Sequence, residues 1–106
     1  MIATGTRPNY LKCEGSELAI TSDDIFFKKT PPGKTLVVGG GYVAVEIAGF
    51  LNGLGYNTTM TTRGEYLRVF DRDMVREVIE DLRQRDVRLI PTSLPRKLKK
   101  LEGGNI

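Results

Sequence analysis

Apolar and polar positions along this chain follow two rhythms, clearest between residues 34 and 90. Lys34-Thr35-Leu36-Val37-Val38 is a short apolar run of the buried-strand type, and it leads straight into Gly39-Gly40-Gly41. Over residues 42–54 the rhythm turns helical. Val43, Ile47, Phe50 and Leu54 recur at steps of four, three and four, which predicts that this face packs on a sheet. Ala44, Ala48, Gly49 and Gly53 are small enough for close approach to a neighbouring backbone, and Gly55 is the residue type that ends a helix in the left-handed conformation. Residues 57–62 are threonine-rich and predict a second strand. Residues 71–85 predict a second amphipathic helix, with Met74, Val78 and Leu82 at i, i+4 and i+8, and residues 87–90 a third strand. The order is β-α-β-α-β, and because each crossover is a helix the sheet is expected to be parallel.

The flanks are less regular. Residues 1–8 are a short apolar start broken by Thr4-Gly5 and Pro8, and read as a strand end entering a turn. Residues 9–20 read as irregular, with Glu14-Gly15-Ser16 as a turn. Ser22-Asp23-Asp24 ahead of Ile25-Phe26-Phe27 predicts a helix start capped by Thr21 or Ser22, stopped by Pro31-Pro32-Gly33. Residues 91–106 are polar and turn-rich and read as the opening of a further hairpin.

Composition narrows the chemistry. A chain of 106 residues buries roughly 60–65% of its unfolded surface, enough for one core. The 40% hydrophobic and 27% charged residues argue against disordered and fibrous classes. No apolar run nears the roughly 20 residues of a membrane span, and the first residues lack the basic and apolar regions of a signal peptide. A single cysteine, Cys13, excludes an internal disulfide and a multi-cysteine zinc site, and the absence of histidine excludes Ser-His chemistry. The net charge of +3 lies wholly in residues 60–106. Such an excess suits an anionic ligand, a nucleic acid or solubility alone, so motifs must decide.

Gly39-Gly40-Gly41-Tyr42-Val43-Ala44 fits the pattern G-x-G-x-x-A. Gly39 permits the tight strand-to-helix turn, Gly41 leaves room for a pyrophosphate, and Ala44 lets helix and strand pack closely. The helix start then offers free N–H groups and the positive end of its dipole to phosphate. After an apolar strand and before an amphipathic helix, this predicts a Rossmann-like dinucleotide-binding unit. The end of the second strand reads the cofactor type. A site for NAD places a carboxylate there, and one for NADP an arginine. Here Thr61-Thr62-Arg63 is followed five residues on by Arg68, and Glu65 lies beyond the strand end. Two charge-assisted pairs to a 2′-phosphate would favour NADPH by roughly 2–5 kcal/mol.

The segment Gly39-x-Gly41-Tyr42-Val43-Ala44-x-Glu46-x-Ala48-Gly49 resembles the NADPH-binding domain of the FAD-dependent pyridine nucleotide-disulfide oxidoreductases. Ala3-Thr4-Gly5-x-x-Pro8 resembles the segment that closes the first pass of their FAD domain. Ile20-Thr21-Ser22-Asp23-Asp24-Ile25-Phe26, Phe50-Leu51-Asn52-Gly53-Leu54-Gly55 and Leu67-Arg68-x-Phe70-Asp71-x-Asp73-Met74 are most similar to animal-type thioredoxin reductase or thioredoxin–glutathione reductase. The resemblance implies residues 1–30 as the end of an FAD-domain segment with its connector, and residues 31–106 as a C-terminally incomplete NADPH-binding domain. It implies Thr4 and Gly5 near FAD, Tyr42 as a cover of the nicotinamide pocket, Glu46 near the nicotinamide carboxamide, and Arg63 and Arg68 as the 2′-phosphate clamp. Against these stand plainer roles: Tyr42 packing on a loop, and Glu46 as an acid favoured by the helix dipole.

The family's FAD fingerprint, its redox-active cysteine pair and its His-Glu interface domain have no counterpart in this chain, and Cys13 matches no redox position. The expectation is therefore a fragment of a larger multi-domain enzyme, inactive alone, whose parent passes electrons from NADPH through FAD to a dithiol and on to thioredoxin or a similar disulfide. Its expected partners are the remaining FAD and dimer-interface domains, with no nucleic acid and no membrane, in the cytoplasm or a mitochondrion. A non-catalytic NADPH-binding module and an interaction fragment remain as alternatives. Gly33-Lys34-Thr35 lacks the leading glycine of a P-loop, and Asp71-x-Asp73 lacks the rest of a calcium loop. Asn57-Thr58-Thr59 is a glycosylation sequon on an expected buried strand. Arg96-Lys97-Leu98-Lys99-Lys100 has no interleaved aromatics and reads as a solvated face.

Overall fold

The apolar run after Lys34 forms β1 (Thr35–Val38), and the glycine turn delivers it into α1 (Tyr42–Gly53). Then follow β2 (Thr58–Thr61), α2 (Arg72–Gln84) and β3 (Arg88–Ile90). The structure is a computed structural model and describes residues 1–103. The strands make one parallel sheet in the order β1-β2-β3, with Thr35 opposite Thr58, Val38 opposite Thr61, Thr59 opposite Arg88 and Thr61 opposite Ile90. This is the predicted βαβαβ unit, a small Rossmann-like α/β fold.

Being central, β2 is the most enclosed strand: Thr58, Met60 and Thr61 are buried. Its threonines suit that place because their β-branched stems fit a pleated surface while their hydroxyls find acceptors. Thr58 Oγ1 donates to the Tyr56 carbonyl at 3.0 Å, and Thr61 Oγ1 faces the carbonyls of Ser93 at 2.6 Å and Ile90 at 3.0 Å.

Both helices form where expected but turn different faces inward. In α1 the buried residues are Ala48 and Leu51, while Val43 and Leu54 are exposed. The helix is apolar on most sides, so periodicity does not select a face, and alanine permits the closer approach. In α2 the buried line is Val75, Ile79 and Leu82. Met74 and Val78 of the predicted line are exposed, because the apolar stripe centres one residue later.

The helix ends follow capping chemistry. Asp71 caps α2, its carboxylate accepting the N–H groups of Asp73 at 3.0 Å and Met74 at 3.2 Å. The end of α1 is a Schellman motif: Gly55 has φ +85°, its N–H donates to Asn52 O at 2.8 Å, and Tyr56 N–H donates to Leu51 O at 3.0 Å. The end of α2 repeats it with a non-glycine residue, Asp86 at φ +63°. Asn52 Nδ2 donates to Arg85 O at 2.8 Å and joins the two helix ends.

The unit just described is Thr30–Leu94. A second unit gathers Met1–Lys29 with residues 95–103. It carries two short 3₁₀ turns, Ser16–Leu18 and Asp24–Phe27. The latter is a single turn where a capped helix was expected, and the roles at its start are reversed. Thr21 donates its N–H and hydroxyl to Asp24 Oδ2, both at 2.7 Å, which holds the Asp24 carboxyl below its ordinary range. Residues 1–8 form no strand. The segment expected to open a hairpin instead places Lys97 in an isolated parallel bridge with Glu14, supported by an ion pair between their side chains. Gly15 sits there at φ +80°, where any side chain would overlap the Leu98 carbonyl. The end of that predicted hairpin lies outside the described residues.

Candidate functional site

Parallel pairing of β1 and β2 places their C-terminal ends side by side, so the glycine turn and the segment after Thr61 share one edge of the sheet. The Gly39 N–H donates to Thr61 O at 2.8 Å and continues the ladder one residue past β1. Three adjacent glycines serve three different needs. Gly39 has φ +153°, and a Cβ there would lie 3.1 Å from Ala44 Cβ, the close strand–helix approach that the motif predicts. At Gly40 a Cβ would stand 2.5 Å from Thr62 Oγ1 and 3.2 Å from the Glu65 carbonyl oxygen. At Gly41 it would meet nothing within 4 Å among the described residues, which leave that space open.

Gly41 caps α1 with extended backbone and no side-chain hydrogen bond. The first intrahelical bond is from Val45 N–H to Gly41 O, at 3.2 Å. The N–H groups of residues 40–44 have no acceptor among the described residues. A cradle of unsatisfied donors at the positive end of a helix, with no Cβ in its mouth, fits a phosphate group.

The other predicted residues fall in place as follows. Tyr42 is the first residue of α1 and is 59% exposed; Val43 and Glu46 are exposed, and Ala44 is half-buried against the turn. Arg63 and Arg68 are both exposed on the connection from β2 to α2, and neither has a hydrogen bond or ion pair among the described residues. Thr4 and Gly5 lie in the other unit, both exposed, with Gly5 at φ +70°.

Sequence reasoning missed what fixes that connection. The Leu67 N–H donates to the Gly40 carbonyl at 2.6 Å, and Leu67 is buried with φ +49°. Beside it, Tyr66 is buried and donates its hydroxyl to Met60 O at 3.1 Å. Burial raises the Tyr66 pKa above its ordinary value. Arg72, in the first turn of α2, reaches back with Nη1 to the carbonyls of Tyr66 at 3.2 Å and Leu67 at 3.3 Å, and with Nη2 to Glu65 Oε2 at 3.9 Å. No local pattern marks Arg72, since its neighbours Asp71 and Asp73 make it look like one of several surface charges. Among the described residues, no group of three or more His, Cys, Asp or Glu is placed to hold a metal, and no helix is long and apolar enough to cross a membrane.

A parallel βαβαβ sheet whose first strand empties through three glycines onto a helix start defines a Rossmann-like fragment. Comparison with known proteins assigns it further: the family described as pyridine nucleotide-disulphide oxidoreductase matches residues 1–104. The chain belongs to that family. It is also 44% identical over 105 residues to a protein described as thioredoxin reductase SEP1, from Emiliania huxleyi. The match takes in 98% of this chain and 21% of that relative, so the chain spans about a fifth of the relative's length.

Proposed function

We propose that the chain is the NADPH-binding portion of an FAD-dependent disulfide reductase of the thioredoxin reductase type. The observation that carries this reading is the sheet edge where the donor cradle of residues 40–44 adjoins a connection bearing Arg63 and Arg68, two arginines with no partner among the described residues. The cradle suits the pyrophosphate. Arginines without internal partners are free to pair with the 2′-phosphate that distinguishes NADPH from NADH. The similarity to a thioredoxin reductase supports the reductase type.

In such an enzyme the nicotinamide supplies a hydride and the flavin relays its electrons to a dithiol. This chain's own residues bind and orient. Tyr42, exposed at the start of α1, would cover the nicotinamide, and Glu46, one turn on and also exposed, would accept from its carboxamide. Thr4 and Gly5 would contribute to FAD binding from the other unit, and the boundary between FAD-type and NADPH-type segments falls near residue 30. With one cysteine and no histidine, the chain holds no dithiol pair and no imidazole, so catalysis belongs to the parent enzyme with its remaining FAD and interface domains and its disulfide substrate.

Calorimetric titration of the chain with NADPH and NADH tests the reading. The expected result is a clear preference for NADPH. Equal affinity for the two would remove the 2′-phosphate assignment, and binding of neither would remove the nucleotide assignment altogether.

A further inference from the structure

Arg68 is carried by a connection that has no regular structure of its own, yet the backbone just before it is held in place. Leu67 N–H is bonded to Gly40 O, Leu67 is buried in a left-handed conformation, and the Arg72 guanidinium spans two successive carbonyls, Tyr66 O and Leu67 O, while pairing with Glu65. We infer that Arg72 is a positioning residue: it locks the 65–67 connection against the glycine turn and so presents Arg68 at the nucleotide site, setting the preference for a 2′-phosphorylated ligand without touching it. The inference rests on the NADPH reading above.

The chemistry favours arginine for this task. A planar fork can donate to both carbonyls at once and still face a carboxylate, which a lysine ammonium on a flexible stem does not reproduce. The two carbonyls belong to residues immediately before Arg68, so holding them fixes the direction in which its side chain leaves the backbone. The pairing with Glu65 also offsets the one carboxylate between Arg63 and Arg68, whose charge would otherwise oppose a phosphate. A connection that is already ordered loses less entropy when the ligand arrives, so rigidity here is read as affinity.

The test uses the 106-residue chain and two probes, 2′,5′-ADP and 5′-AMP, titrated into wild type, Arg72→Ala and Arg72→Lys, with hydrogen exchange at the Leu67 amide as a second readout. In Arg72→Ala, affinity for 2′,5′-ADP is expected to fall about fivefold to tenfold while that for 5′-AMP stays within about twofold, and the Leu67 amide is expected to exchange faster. Arg72→Lys, which keeps the charge and loses the fork, is expected to lie between the two and serves should the alanine variant not fold. A merely structural role would weaken both probes equally. Equal weakening, an unchanged ratio in a folded variant, or a lysine variant matching wild type overturns the inference. Failure of wild type itself to prefer 2′,5′-ADP is a different result: it overturns the NADPH reading and this inference with it.

Discussion

Gly40 and Thr62 stand so close that a methyl group on Gly40 would lie 2.5 Å from the threonine hydroxyl oxygen and 3.0 Å from its Cβ. Thr62 is buried, so it has little room to yield. The glycine motif leaves this middle position free, whereas the fold does not. At Gly41 the situation is reversed: the motif demands glycine and the protein around it leaves the space open.

Gly40→Ala and Gly41→Ala should therefore fail in different ways. Overpacking at Gly40 is expected to cost about 1–3 kcal/mol of stability. Gly41→Ala should leave stability within about 0.5 kcal/mol of wild type and weaken NADPH binding about tenfold or more, since its methyl group would enter the phosphate space. Urea melts of both variants, paired with nucleotide titration, check this. A Gly41→Ala chain that binds as wild type would show that the phosphate does not sit there.

Arg63 and Arg68 are expected to be dispensable for folding, being exposed and without a partner among the described residues. Each single alanine variant should change stability by no more than about 0.5 kcal/mol. Each should lower NADPH affinity by about 10- to 100-fold, the size of a lost charge-assisted hydrogen bond of about 1.5–3 kcal/mol. NADH affinity should be nearly unchanged. A variant losing both nucleotides equally would place that arginine elsewhere than at the 2′-phosphate.

The sequence pattern located every strand and both helices of the 30–94 unit because strand rhythm, helix rhythm and turn residues agreed there. It misplaced the buried lines of the helices for two separate reasons. In α1, apolar residues surround the axis, and the small Ala48 rather than the larger Ile47 went to the interior. In α2, Met74-Val75 and Val78-Ile79 are adjacent apolar pairs, and either member of each pair could begin the inward line. At the candidate site, the glycine turn was legible because its requirement is local. The hold of Arg72 on the Tyr66 and Leu67 carbonyls was not, because a side chain bonding to backbone several residues away leaves no composition signal. Asp86 likewise ends α2 where pattern reading would look for glycine.

The Asp71 cap offers a test of how far local chemistry shapes the site. Its carboxylate satisfies two N–H groups at the start of α2, the turn that also carries Arg72. Asp71→Ala is expected to cost about 1 kcal/mol, while Asp71→Asn, which keeps an accepting oxygen, should cost less than half of that. Thermal melts followed by circular dichroism distinguish the two. Equal losses would mean that charge on the helix dipole, rather than the hydrogen bonds, supplies the stabilisation.

Tyr66 makes the stability of the unit sensitive to alkaline pH. Burial disfavours the phenolate, so its pKa in the folded chain stands above the ordinary tyrosine value. For an acid shifted upward, the unfolded chain gives up its proton first as pH rises. Above about pH 10, the usual tyrosine value, the unfolded state therefore binds fewer protons than the folded one, and stability falls with pH. The contribution is complete below the unfolded pKa and is lost as pH passes through the folded one. Tyr66→Phe keeps the ring but removes both the titrating group and the hydrogen bond to Met60 O. At about pH 8 the variant is expected to be less stable by about 1 kcal/mol, the worth of that bond. Toward about pH 11 the wild-type advantage should shrink, because only the wild type must deprotonate a buried phenol or unfold. The three other tyrosines are common to both proteins and drop out of the comparison. Denaturant melts of the pair across that range decide the matter: parallel stability curves would show that Tyr66 carries no alkaline linkage, and convergence would show that it does.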